Sequence, residues 1–339
     1  MLDAAGPWGT GPFILKDGTS TLEKRSPEVV LEANPNYWNA SRKPKVQRVV
    51  FDNIISRAEA LEQVGDPTGK IDIVTELTPA EAAQLARSKA ATVVRSDAKT
   101  VLVGVFNQNR PDSRWGDVRV RRAVNHAVDR NAVLRVGARG YGTVLPAMIM
   151  RGAFGFDAGL KPYAFDPAAA KQAIRQARLP GASVTIVAAA TYKPVVEVIA
   201  RNLTAVGLKV NPVYADAPTG DDWDIWLVEH FDWSPEFPAG VVYREFFGKD
   251  GAFRKMPEDP KFNELYAKVL ATPDTAQQKQ LIRQLDRYVH DQANVLFLYA
   301  PAKLYGVRKG VHFVPYKTTM LELAETGVTR APVKAGSRE

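Results

Sequence analysis

The stretch at 106–134, FNQNRPDSRWGDVRVRRAVNHAVDRNAVL, changes its period partway along. Its first residue closes an apolar, β-branched run over 101–106, which predicts a strand. Pro111 ends that pattern. Val120, Ala123, Val124, Ala127 and Val128 then recur at helical spacing, which leaves Arg119, Arg121 and Arg122 as the solvated side of a helix. Asp117 or Ser113 is placed to cap this helix, and Asp129 to cap a second, shorter one.

Downstream, strand and helix signals alternate, the pattern of an α/β protein. An irregular stretch rich in Gly and Pro at 137–162 comes first. Asp166-Pro167 opens a helix that Pro180-Gly181 ends, and 184–188 reads as a strand. Lys193-Pro194 opens a helix that stops at Gly207; strands follow at 208–214 and 224–229. Asp259-Pro260 and Thr272-Pro273 start two more helices, and 296–299 and 304–307 are the last clear strands. Upstream the chain reads as short strands at 29–32, 46–51 and 71–74, with a helix at 56–64. Thr78-Pro79-Ala80-Glu81 is a capping box that starts another helix, and further strands lie at 92–95 and 101–106.

Composition narrows the class. The chain has 339 residues, 45% of them hydrophobic and 24% charged, which is ordinary for a globular protein and suggests two domains. It has no cysteine, so disulfides, thiolate metal sites and a cysteine nucleophile are excluded. The four histidines, His126, His230, His290 and His312, show no metal-ligand spacing, and no metal or cofactor is expected. The net charge of +8 comes from dispersed basic residues without interleaved aromatics, so no nucleic-acid partner is expected. No apolar run reaches the length of a membrane span. Phosphate-loop, dinucleotide and nucleophile-elbow motifs are absent, and Asp221, Asp222 and Asp224 read as a solvated turn. No enzyme is expected.

Several segments in order resemble the family 5 extracytoplasmic solute-binding proteins, the peptide, oligopeptide and nickel receptors of ABC importers. They are GTGPFIL at 9–15, VVLEANPNYWNASRKPKVQRVVF at 29–51, ALEQVGDPTGKIDIVTELTP at 60–79 and the stretch at 106–134. YAFDPAAAKQAIRQARLPG at 163–181 and VLFLYAPAKLYGVRKGVHFVP at 295–315 follow. The resemblance implies an α/β fold of the type II periplasmic-binding-protein kind, with two lobes of mixed sheets. Residues 1–98 with 300–329 would form the first lobe, 99–299 the second, and 330–339 a frayed tail. Tyr37 and Trp38 are expected as core anchors. Members carry a long stretch before the motif that begins here at Gly9. The first lobe is therefore expected to be incomplete, with an unpaired sheet edge or exposed apolar face. The leaderless start MLDAAGPWGTGPF is expected to be the middle of a longer relative.

The implied function is the substrate-binding component of an ABC importer for peptides or a related small solute, captured between the lobes. The implied partner is a membrane permease, and the implied location is periplasmic or otherwise extracytoplasmic, although this chain shows no signal peptide. WDIWLVEHFDWSPEF at 223–237 is similar to the segment at which the family's second-lobe strand meets the ligand. There Asp232 matches the aspartate that meets a peptide's α-ammonium, and Trp233 its aromatic neighbour. Glu229 stands where many members have an aromatic residue, which suggests a cationic ligand. Phe231 and Trp233 would supply apolar or cation–π walls, and Asn107, at the end of the entering strand, an amide. A second reading makes the chain an interaction protein that reuses the scaffold without a competent cleft.

Overall fold

The structure is a computed structural model that describes residues 9–21, 23–97, 100–110, 112–231, 240–315, 321 and 323–329. The chain divides into two compact units. One is built around the residues up to Ser96 and the return segment Lys303–Tyr316, the other around Asp97–Ala302.

The first unit holds strands β1 (Phe13–Asp17), β2 (Glu28–Ala33) and β3 (Arg48–Asp52), helix α1 (Arg57–Gly65), strand β4 (Ile73–Val74), helix α2 (Pro79–Leu85) and strand β5 (Ala91–Ser96). β1, β2 and β3 form an antiparallel sheet in that order. The capping box starts α2 as expected: Thr78 Oγ1 accepts from Glu81 N, and Glu81 accepts from Thr78 N. The first helix likewise begins on Ser56, whose hydroxyl accepts from Glu59 N. Both helices lie against a later strand, β12 (Lys303–Arg308). Gly306 of that strand sits so close that a Cβ there would lie 2.5 Å from Leu85 Cδ2. Tyr37 is buried as expected, whereas Trp38 is 73% exposed and anchors no core. Between β3 and β4, each an edge strand among the described residues, lies a cavity of about 640 Å³ lined by Val49, Phe51, Ile73 and Val74.

The second unit runs β6 (Thr100–Phe106), α3 (Val118–Ala127), α4 (Arg130–Ala138), β7 (Gly142–Val144), α5 (Pro167–Gln176), β8 (Ser183–Ala188), α6 (Lys193–Ala205), β9 (Lys209–Tyr214), β10 (Ile225–Phe231), α7 (Gly240–Phe247), α8 (Pro260–Ala271), α9 (Thr275–Asp291) and β11 (Val295–Pro301). Its six-stranded sheet has the order β7-β11-β6-β10-β8-β9. β8 is parallel to β9 and β10, while β6 is antiparallel to β10 and β11, so the sheet is mixed. β6 lies in its centre and is buried on both faces. Alternation along β6 sends Leu102 and Phe106 to the cluster formed with Val120, Val124, Val196 and Ile199. Val103 and Val105 go to the opposite cluster, with Phe246, Phe262, Ile282 and Leu285. The chain then returns to the first unit with β12 (Lys303–Arg308), between β4 and β5, and closes with β13 (Val311–His312) and β14 (Gly327–Val328).

Two polar readings of the sequence change. Arg121 is not on a solvated face: it is 4% exposed, and its guanidinium donates to Gln292 O at 2.7 Å and to Ala293 O at 3.2 Å. It closes the C-terminal end of α9, whose last carbonyls lack partners within the helix. Burial pulls its pKa down to about 10, where it still carries its charge at neutral pH. Asp224 is not in a solvated turn. It is 5% exposed, accepts from Trp115 Nε1 at 3.0 Å and Thr185 N at 2.8 Å, and joins three segments at one end of the sheet.

Candidate functional site

β8 is followed by α6 and by β9 on one flank, and β10 then lies on its other flank. Connections that leave a strand in opposite directions open a crevice outside its carboxyl end, where α/β sheets place their ligands. The residues beyond that end of β8 are the short 3₁₀ turn Ala190–Tyr192 and the start of α6; those at the end of β10 are Glu229, His230 and Phe231.

Glu229 pairs across the sheet with Leu102 of β6, which in turn pairs with Tyr299 of β11. Cross-strand partners share a face, so Glu229, Leu102 and Tyr299 form one row on the α3–α6 side of the sheet. Glu229 is exposed, and its Oε2 accepts a hydrogen bond from the Tyr192 hydroxyl. Burial, and then the charge of Glu229, push the Tyr192 hydroxyl well above the ordinary phenol range. The same two causes, in the same order, raise Tyr299. Both phenols therefore stay protonated donors at any physiological pH.

Gly137 of α4 makes room for this arrangement. A Cβ there would collide with the Tyr299 hydroxyl and lie 2.8 Å from Val195 Cγ2 on the first turn of α6. One diagonal step from Glu229, the buried Thr100 hydroxyl has no hydrogen-bond partner among the described residues. His230 takes the other face, where its ring meets Phe246 and Phe253 edge-on at 5.5 and 5.4 Å. Among the described residues no group of three or more His, Asp or Glu is placed to hold a metal ion.

The structure does not bring all the sequence-derived candidates together. Asn107 is at the opposite end of the β6–β10 pair. The two strands are antiparallel, with Phe106 facing Ile225 and Leu102 facing Glu229, so five residue steps, roughly 17 Å of strand, separate Asn107 from the Glu229 row. Its side-chain amide is committed to Asp221 O at 3.1 Å and Trp223 O at 3.2 Å. Phe231 is the last residue of β10, paired with Thr100. Asp232 and Trp233 lie outside the described residues. Sequence reading missed Tyr192, Tyr299 and Gly137. The signal for Tyr192 was its place just before Lys193-Pro194, the marked start of α6.

The fold is that of the type II periplasmic binding proteins. The chain belongs to the bacterial extracellular solute-binding proteins, family 5: residues 2–252 match the model described as "Bacterial extracellular solute-binding proteins, family 5 Middle". The dipeptide-binding protein of Escherichia coli (strain K12) is 23% identical over 324 residues, covering 90% of this chain and 58% of that protein. Among solved structures, the ABC transporter substrate-binding protein CtaP from Listeria monocytogenes superposes with a TM-score of 0.79 at 15% identity, over 95% of this chain and 67% of that one. The periplasmic binding protein DppA from Helicobacter pylori, in complex with the peptide STSA, gives a TM-score of 0.70 at 20% identity, over 95% of this chain and 63% of that one. The chain spans little more than half the length of the curated relatives that it matches over most of its own length.

Proposed function

We propose that this chain is the substrate-binding component of an ABC importer for peptides or a related small solute. It would work outside the cytoplasm, deliver the solute to a membrane permease and bind without chemical change. The carrying observation is the Glu229 carboxylate, fixed by Tyr192 beside Tyr299 in the crevice at the carboxyl ends of β8 and β10. Family membership supports the reading, as do the dipeptide named for the Escherichia coli relative and the peptide held by the Helicobacter pylori neighbour. Among the described residues no helix is long and apolar enough to cross a membrane, in keeping with a component that meets its permease from outside the bilayer.

Glu229, Phe231, Asp232 and Trp233 are the proposed contacts on the β10 side, with Asp232 receiving an α-ammonium. A carboxylate suits that role because a charge-assisted hydrogen bond gains strength where water is excluded. Asn107 serves instead to tie the strand end to the 221–223 turn.

The test is thermal denaturation of the whole chain with di-, tri- and tetrapeptides, against free amino acids as the comparison. A solute that binds only the native state raises the midpoint, since a concentration of about one hundred times Kd adds about 2.7 kcal/mol. Peptides that leave the midpoint where it stands at millimolar concentration overturn the reading.

A further inference from the structure

An exposed carboxylate usually finds its counter-charge in water or in a neighbouring Lys or Arg. Among the described residues Glu229 forms no ion pair, and its one hydrogen-bond donor is a neutral phenol. Lys193 follows Tyr192 directly in sequence, yet it makes no ion pair with Glu229. The acid is nevertheless held in place. Tyr192, half-buried at the start of α6, fixes Oε2, and Oε1 remains to accept from another donor. Tyr299, in the same row of the sheet, is 2% exposed, with its hydroxyl end against Gly137. At the surface this leaves one negative charge beside a neutral phenol, with the Tyr299 ring buried behind them.

We propose that the solute presents a positive charge, an ammonium or a guanidinium, to Glu229 beside Tyr192. The proposal rests on the solute-binding reading and names the charge class of that solute. The free carboxylate oxygen takes a charge-assisted hydrogen bond from the cation. The half-buried Tyr192 ring favours a cation by its quadrupole. The same carboxylate repels a solute that brings an acid to this position. Glu229 thus acts as a specificity-determining residue, in addition to any α-ammonium contact made by Asp232.

The experiment is calorimetric titration of the whole chain with trilysine, trialanine and triglutamate, in the wild type, Glu229→Gln and Tyr192→Phe. The overall charge of the chain is +8, so general electrostatics work against trilysine and any preference for it is local. The expected result is trilysine binding at least about tenfold more tightly than trialanine, with triglutamate weakest. Glu229→Gln keeps an acceptor for Tyr192 and should bring the ratio of trilysine to trialanine affinity close to one. Tyr192→Phe, which frees the carboxylate, should lower that ratio severalfold without abolishing it. Equal binding of the three peptides overturns this proposal alone, as does a Glu229→Gln ratio equal to that of the wild type. Failure of all three peptides to bind overturns the peptide reading and this proposal with it.

Discussion

Asp286 of α9 is a carboxyl group inside the apolar cluster formed by α7–α9 and one face of the sheet, and replacing it with asparagine should change how stability depends on pH. It is 1% exposed; its Oδ1 accepts from Met148 N at 3.0 Å and from the Tyr243 hydroxyl, itself fully buried. Desolvation is the largest influence on it and lifts its pKa from 3.8 to about 7, against the pull of the Tyr243, Met148 and Ile149 hydrogen bonds. The folded-state pKa lies above the unfolded value, so the stability contribution is fully present below about pH 4 and is lost as pH rises through about 7. A shift of roughly three units corresponds to about 4 kcal/mol, of which about 3 kcal/mol is lost between about pH 4.5 and pH 8. Asp286→Asn keeps an acceptor oxygen for Tyr243 and Met148 but cannot ionise. Urea unfolding across this pH range should show the variant gaining about 3 kcal/mol on the wild type as pH rises. A difference between the two proteins that stays constant with pH would refute the argument, because Asp286 would then hold the same protonation in the folded and unfolded chain. Asp286→Ala serves as the control: it strands Tyr243 and Met148 and should destabilise by about 1–3 kcal/mol at acid pH, and because it cannot ionise either, it too should gain about 3 kcal/mol on the wild type as pH rises.

Two further variants test the scaffold around the candidate site. Arg130 is buried and donates to Phe297 O at 2.7 Å, to Asn125 O at 2.7 Å and to Asn125 Oδ1 at 2.6 Å; Arg130→Met removes these donors and should cost about 3 kcal/mol or more in urea unfolding, and a loss below about 0.5 kcal/mol would show that the network is not holding α4 to β11. Gly137→Ala places a methyl group against the Tyr299 hydroxyl and Val195; it should cost about 1–3 kcal/mol and weaken peptide binding, and peptide affinity equal to wild type would separate Tyr299 from the solute.

What was legible in the sequence follows from the range of the interaction involved. Helix starts are local: Thr78 with Glu81, Asp117, Asp129, Asp166 with Pro167 and Asp259 with Pro260 each meet a backbone N–H two or three residues on, and each was placed, Asp117 as one of two candidates with Ser113, which caps the short turn before it. The central strand was legible because burial on both faces leaves an unbroken apolar run, TVLVGVF. β1 was passed over because its outer half, Leu15 to Asp17, is exposed and carries little apolar signal. Arg121 was misplaced because the carbonyl that buries it is 171 residues away, although its position beside Val120 and Val124 put it on the border of the apolar face. The candidate site shows the same limit. Glu229 stood out through the family resemblance, as an acid where many members have an aromatic residue, but the residue that orients it is 37 positions earlier, and nothing in the spacing of a tyrosine and a glutamate announces a hydrogen bond. Asn107 illustrates the converse. Its place at a strand end was read correctly, yet which end of the sheet that is depends on strand direction. Antiparallel pairing of β6 with β10 sends the end of one strand to the start of the other, so Asn107 meets the 221–223 turn while Glu229 stands at the far edge with Tyr192. Strand direction is a property of the pairing and not of either strand, and the six-stranded order had to be known before Asn107 and Glu229 could be assigned to opposite ends of the sheet.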